Sequence, residues 1–85
     1  MIVSVGNILK NMRNTNTKYT QKDIGKKLSI AYNTISSYER ENSQPDFETI
    51  VKYSEVCGYS IKFYNEKTNE YVSVEELSKE LWNID

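Results

Sequence analysis

The sequence predicts a small, mainly α-helical domain that ends in a two-stranded β-hairpin and a short last helix. Three observations carry that expectation. Apolar residues recur at helical spacing from Val5 to Cys57. Capping residues and breakers divide this stretch into four segments. After Gly58 the apolar period falls from about 3.6 residues to about 2, the change from helix to strand.

The elements follow in order. Val5, Ile8, Leu9 and Met12 form one stripe of an amphipathic first helix that Ser4 can cap. The polar run Asn14-Thr15-Asn16-Thr17 should end it. Thr20 opens a second helix over residues 20–28, with Asp23 as its capping-box partner and Tyr19 as a staple. Ile24 and Leu28 face inward, and Ser29-Ile30 makes a turn. A third helix over 31–39 offers Ile35 and Tyr38 to the core. Glu39 to Gln44 reads as a loop. Pro45-Asp46 starts a fourth helix that buries Phe47, Ile50, Val51 and Cys57 and stops at Gly58. Ile61 and Phe63, then Val72 and Val74, alternate with polar or aromatic neighbours around a turn in which Asn69 can take positive φ. Ser73 and Glu76 form an S-x-x-E capping box, and Val74, Leu77, Leu81 and Ile84 make the apolar stripe of a short last helix. The core expected from these patterns is Ile8, Leu9, Met12, Ile24, Leu28, Ile35 and Phe47, with Cys57 as a small buried hydrophobe.

Composition narrows the function. In 85 residues only about 60% of the unfolded surface can be buried, which disfavours a deep catalytic cleft. There is no His and one Cys, so the commonest general base and any Cys-cluster metal site are missing. No nucleophile–base pair or phosphate-cradling Gly loop is present, and the expectation is a protein without cofactor, metal or enzymatic activity. A lone Cys suits a reducing, cytoplasmic setting. No apolar run approaches the roughly 20 residues of a membrane span, and the opening Met-Ile-Val-Ser-Val does not read as a signal peptide. The net charge is −1 but is unevenly placed. Residues 1–40 hold seven basic groups against two acidic ones, a balance of +5; residues 41–85 hold four against ten, a balance of −6. A basic half can face an anionic polymer. The plainer account is a chance partition of solvated faces.

The strongest motif is Thr20 to Arg40, TQKDIGKKLSIAYNTISSYER. Two short helices flank a tight turn, apolar residues at 24, 28, 30 and 35 hold them crossed, and Gly25 sits where they would approach closest. This resembles the helix-turn-helix of the Xre-like, Cro and phage-repressor family. The resemblance runs from about Val5 to Tyr59 and includes the Thr20-Gln21 start, the Thr34-Ile35-Ser36 centre, the Tyr38-Glu39-Arg40 close and Pro45. It implies a lambda-repressor-like four-helix domain over residues 1–59. Residues 60–85, the hairpin plus helix, are the expected dimerisation element of the same compact domain.

A recognition helix lies in the major groove, where each base pair shows a distinct donor and acceptor pattern. Here the exposed face of the third helix holds Tyr32, Asn33, Ser36 and Ser37 as base-edge candidates. Asn33 can bond an adenine bidentately, and the serines can donate or accept. The phosphate candidates are Thr20, Gln21 and Lys22, with Lys18, Arg40, Asn42 and Ser43. The role of Gln21 is implied by the resemblance, as is a structural ion pair between Arg13 and Glu39. All of these polar side chains would equally suit an ordinary solvated surface. Three departures stand out. Ser29 occupies the turn position usually filled by Gly, Ala31 replaces the usual capping Ser or Thr, and Glu41 would repel DNA from a loop that is often basic.

A single motif reads few base pairs, so such proteins dimerise on palindromes with half-sites about 34 Å apart. The hairpin edge carries Ile61, Phe63 and Tyr71, with Trp82 and Ile84 near, and is the expected homodimer interface. The resulting expectation is a sequence-specific double-stranded DNA-binding transcriptional regulator, a homodimeric repressor. The alternatives are an antitoxin whose C-terminal segment binds a toxin, and a protein-interaction module that kept the fold without DNA binding.

Overall fold

A computed structural model describes residues 1–79. Its order is α1 (Val5–Asn16), α2 (Gln21–Leu28), α3 (Tyr32–Glu39), α4 (Phe47–Val56), β1 (Lys62–Asn65), β2 (Glu70–Ser73) and α5 (Val74–Ser78). The expected Leu81, Trp82 and Ile84 lie outside the described residues. Among the described residues, no helix is long and apolar enough to cross a membrane.

Local chemistry sets most boundaries. The Ser4 hydroxyl accepts from the Asn7 amide and starts α1. Thr20 and Asp23 close a reciprocal capping box at α2, at 3.1 and 2.9 Å. The Asp46 carboxylate accepts from the Thr49 amide at 2.8 Å and opens α4. Ser29, at φ 58°, supplies the left-handed residue that ends α2. Gly58 and Asn69 take positive φ after α4 and in the hairpin turn. Ala31 gives α3 no side-chain cap.

α1 is longer than its polar end suggests. It continues to Asn16, because the Thr17 hydroxyl bonds the Arg13 carbonyl at 2.7 Å and the Asn16 amide bonds the Cys57 carbonyl at 3.1 Å. Those side chains satisfy terminal groups that a polar run would otherwise leave to water.

The core gathers Leu9, Ile24, Ile35, Tyr53 and Cys57 from α1 to the end of α4. Val5, Met12, Tyr19, Leu28, Ile30, Tyr38, Ile50 and Val56 pack around it. Two expected core residues lie elsewhere. Ile8 is 45% exposed and Phe47 is 51% exposed. α4 is rotated so that Tyr53 and Ser54 take the buried face, and Phe47 instead meets Phe63 of β1 with ring centroids 6.3 Å apart.

Two glycines permit the helix crossings. A Cβ on Gly25 would lie 2.5 Å from the Ile30 carbonyl oxygen, so only glycine lets the turn fold back on α2. A Cβ on Gly6 would lie 2.7 Å from the carbonyl oxygens of both Tyr38 and Glu39, which seats the start of α1 against the end of α3.

β1 and β2 pair antiparallel, with Phe63 opposite Val72 and Tyr64 opposite Tyr71. Directly opposed residues share a face and neighbours alternate. Phe63 therefore points to the α4 side, while Tyr64 and Tyr71 stack on the other side at 5.0 Å.

Candidate nucleic-acid interface

α2 and α3 meet around the Ser29–Ala31 turn, and their N-termini carry the site. Tyr32 is 46% exposed at the first position of α3, next to exposed Asn33. The Lys22 ammonium lies 5.2 Å from the Tyr32 ring centre, a cation–π contact that joins the start of α2 to the start of α3. A shallow hollow of about 350 Å³ opens beside this pair, with Lys26 on its rim. Lys27 lies over the Tyr19 ring at 4.8 Å.

Farther along α3, Ser36 and Ser37 are half-buried. The Ser37 and Ser43 hydroxyls bond each other at 2.8 Å, and the Asn42 amide donates to the Ser37 carbonyl at 2.9 Å. These contacts fold the loop after α3 back along the helix, with Arg40 and Asn42 exposed. Thr20 uses its hydroxyl oxygen as the cap of α2 and keeps its O–H to donate. Lys18 is exposed in the α1–α2 connection. Tyr32 and Asn33 thus share the start of α3, Ser37 and Ser43 form a pair at its far end, and Thr20 to Lys22 flank it.

Glu41 lies exposed in the loop after α3. It takes φ 62°, and its carboxylate accepts a hydrogen bond from the Ser4 hydroxyl. The charge sits at the N-terminal end of α1, where the helix dipole favours an anion.

Behind the surface lies the one buried carboxylate among the described residues. Glu39 is 4% exposed and accepts four hydrogen bonds. Arg13 grips it with two, Nε to Oε2 at 2.9 Å and Nη2 to Oε1 at 2.8 Å, and a third Arg13 donor holds the Tyr19 carbonyl. Gln21 donates to Oε1 at 3.1 Å, and the Tyr53 hydroxyl to Oε2 at 2.5 Å. Burial alone would raise the Glu39 pKa; the hydrogen bonds from Arg13, Tyr53 and Gln21 outweigh it and hold the carboxyl below its ordinary range. Burial, reinforced by the bond to Glu39, pushes the Tyr53 phenol far up and keeps it a donor. The Arg13–Glu39 pair stands as expected; the Tyr53 bond was not foreseen. Its signal was available in the spacing of Ile50, Tyr53 and Cys57, three and four residues apart.

No cluster of metal-ligating side chains occurs among the described residues. The interface therefore offers an exposed amide, hydroxyls and ammonium groups around a short helix, the donor set for base edges and phosphates.

The family model described as Helix-turn-helix matches residues 9–64. This chain belongs to the Xre-like helix-turn-helix family. It is similar to the HTH-type transcriptional regulator ImmR of Bacillus subtilis (strain 168), at 36% identity over 77 residues. That alignment takes in 91% of this chain and 54% of ImmR, so the chain spans about half the length of this curated relative. No solved structure matches it. The matched segment runs from the core residue Leu9 through α2, α3 and α4 and into β1, and it includes every residue of the helix-turn-helix interface described above.

Proposed function

We propose that this helix-turn-helix protein is a sequence-specific, double-stranded DNA-binding transcriptional regulator that acts as a homodimeric repressor on a palindromic operator. The observation that carries this reading is the exposed start of α3, where Tyr32 and Asn33 stand clear of the core beside Lys22. Asn33, Ser36, Ser37 and Tyr32 read base edges. Thr20, Gln21, Lys22, Lys18, Arg40, Asn42 and Ser43 contact phosphates and fix the register. The resemblance to ImmR, a transcriptional regulator by name, supports the same class.

The second copy docks through the hairpin. Ile61, Phe63 and Tyr71 are its proposed contacts: Phe63 meets Phe47 of α4 on one face of the hairpin, and Tyr71, 72% exposed, presents an open aromatic face with Tyr64 on the other. Trp82 belongs to the same proposed interface.

Selection of bound sites from random duplex DNA, followed by affinity measurements at several salt concentrations, tests this function. The expected result is an inverted-repeat site and an affinity that falls steeply with salt, because phosphate contacts release counterions. No duplex binding at low salt would overturn the reading and leave a protein-interaction module.

A further inference from the structure

Gln21 is tethered from behind, and the tether reaches α4. Its amide nitrogen donates to Oε1 of Glu39, the last residue of α3. The opposite oxygen of that carboxylate accepts from the Tyr53 hydroxyl at 2.5 Å, and Arg13 bridges both oxygens. Each oxygen therefore holds two donors, and the carboxylate plane is fixed by α1, α2 and α4 together. One Gln21 N–H is committed to that plane. Its carbonyl oxygen and second N–H remain, at the half-exposed start of α2.

We infer that Tyr53 and Glu39 are positioning residues for Gln21: the tyrosine hydroxyl sets the Glu39 carboxylate, and the carboxylate sets the Gln21 amide toward a DNA phosphate. The inference rests on the DNA-binding reading given above. Its physical basis is preorganisation. An amide already held in one rotamer loses less freedom when it meets a phosphate than one that swings freely. Tyr53 touches no ligand; it acts through Glu39.

A double-mutant cycle between Tyr53→Phe and Gln21→Ala separates this role from simple stabilisation. Affinity for a duplex recovered by selection is measured for all four proteins below their unfolding temperatures. Tyr53→Phe alone is expected to weaken binding about threefold to tenfold, the loss of one hydrogen bond's worth of order. In the Gln21→Ala background the same change is expected to alter affinity less than about twofold. Equal losses in both backgrounds, or no loss with Gln21 intact, would overturn the inference while leaving DNA binding standing. Failure of the unaltered protein to bind any duplex would instead overturn the functional reading and this inference with it. If Tyr53→Phe unfolds at the assay temperature, Arg13→Lys completes the same cycle, since it keeps the charge and loses the bidentate grip. Additivity there would overturn the positioning of Gln21 by Glu39, and with it any role of Tyr53 through that carboxylate.

Discussion

Glu39 carries a charge into the interior of a small helical body, and Arg13 makes that tolerable. Removing one partner of a buried pair leaves the other charge uncompensated, at a cost of about 3–5 kcal/mol. Arg13→Met is expected to lose about that much in urea unfolding, a large share of the roughly 5–15 kcal/mol that holds a domain together. The pH response follows from the same cluster. The folded Glu39 carboxyl titrates below its ordinary 4.5, so its stabilisation is complete above that value and is lost as pH falls through and beneath it. Tyr53 is raised above its ordinary 10.0, so its contribution holds below that value and drains as pH climbs past it. Denaturation midpoints across pH should therefore fall on both sides of neutrality; a flat acid limb would contradict the Glu39 assignment. At the surface, Asn33→Ala is expected to cost about 1–3 kcal/mol on the selected site and to relax one base position, as measured against duplexes varied there.

At the scale of elements, α3 is the least well anchored at its start. Ala31 offers no cap, and its helix depends on packing by Ile35 and the grip on Glu39. Ala31→Ser should add about 1 kcal/mol in thermal or urea unfolding. Gly25→Ala should cost about 1–3 kcal/mol, because the added methyl meets the Ile30 carbonyl and the turn must move. Much of this architecture was legible in the chain. Thr20-x-x-Asp23, Asp46 and the period change after Gly58 are local signals, and local signals survive folding. The rotation of α4 was harder to read. Phe47 and Tyr53 are both large aromatics on one helix; the spacing from Ile50 and Cys57 allows Tyr53 inside, and its hydroxyl finds an acceptor there in the buried Glu39 of another helix. The end of α1 was hidden for the same reason, since Asn16 finds its partner in Cys57, distant in sequence. The role of Gly6 depends on where α3 ends, which no local pattern contains. Of the candidate base-edge residues, Tyr32 and Asn33 were legible as exposed positions on α3, whereas Ser36 and Ser37 are half-buried. The pairing of Ser37 with Ser43 was not legible, because it needs the loop to fold back.

The described residues extend farther than their number requires, over 45 × 27 × 23 Å with a radius of gyration of 15.0 Å. A compact chain of this length would have about 12 Å. The hairpin leans on α4 through Phe63 and Phe47 and leaves the Tyr64–Tyr71 face open. Two open edges on a two-stranded sheet are marginal alone and invite pairing. Light scattering at micromolar concentration is expected to give twice the chain mass, and Tyr71→Asp is expected to return it to the single-chain value. A monomer before substitution would sink the hairpin interface.

Every fully buried side chain among the described residues comes from Cys57 or earlier. The fully buried interior is thus assembled between Leu9 and Cys57, the residue that caps α4. Substitutions after that point meet less of the constraint that packing imposes on Leu9, Ile24 or Tyr53. On the proposed reading, substitutions at the exposed Tyr64 and Tyr71 are therefore expected to change pairing while leaving the interior built by Leu9, Ile24 and Tyr53 intact.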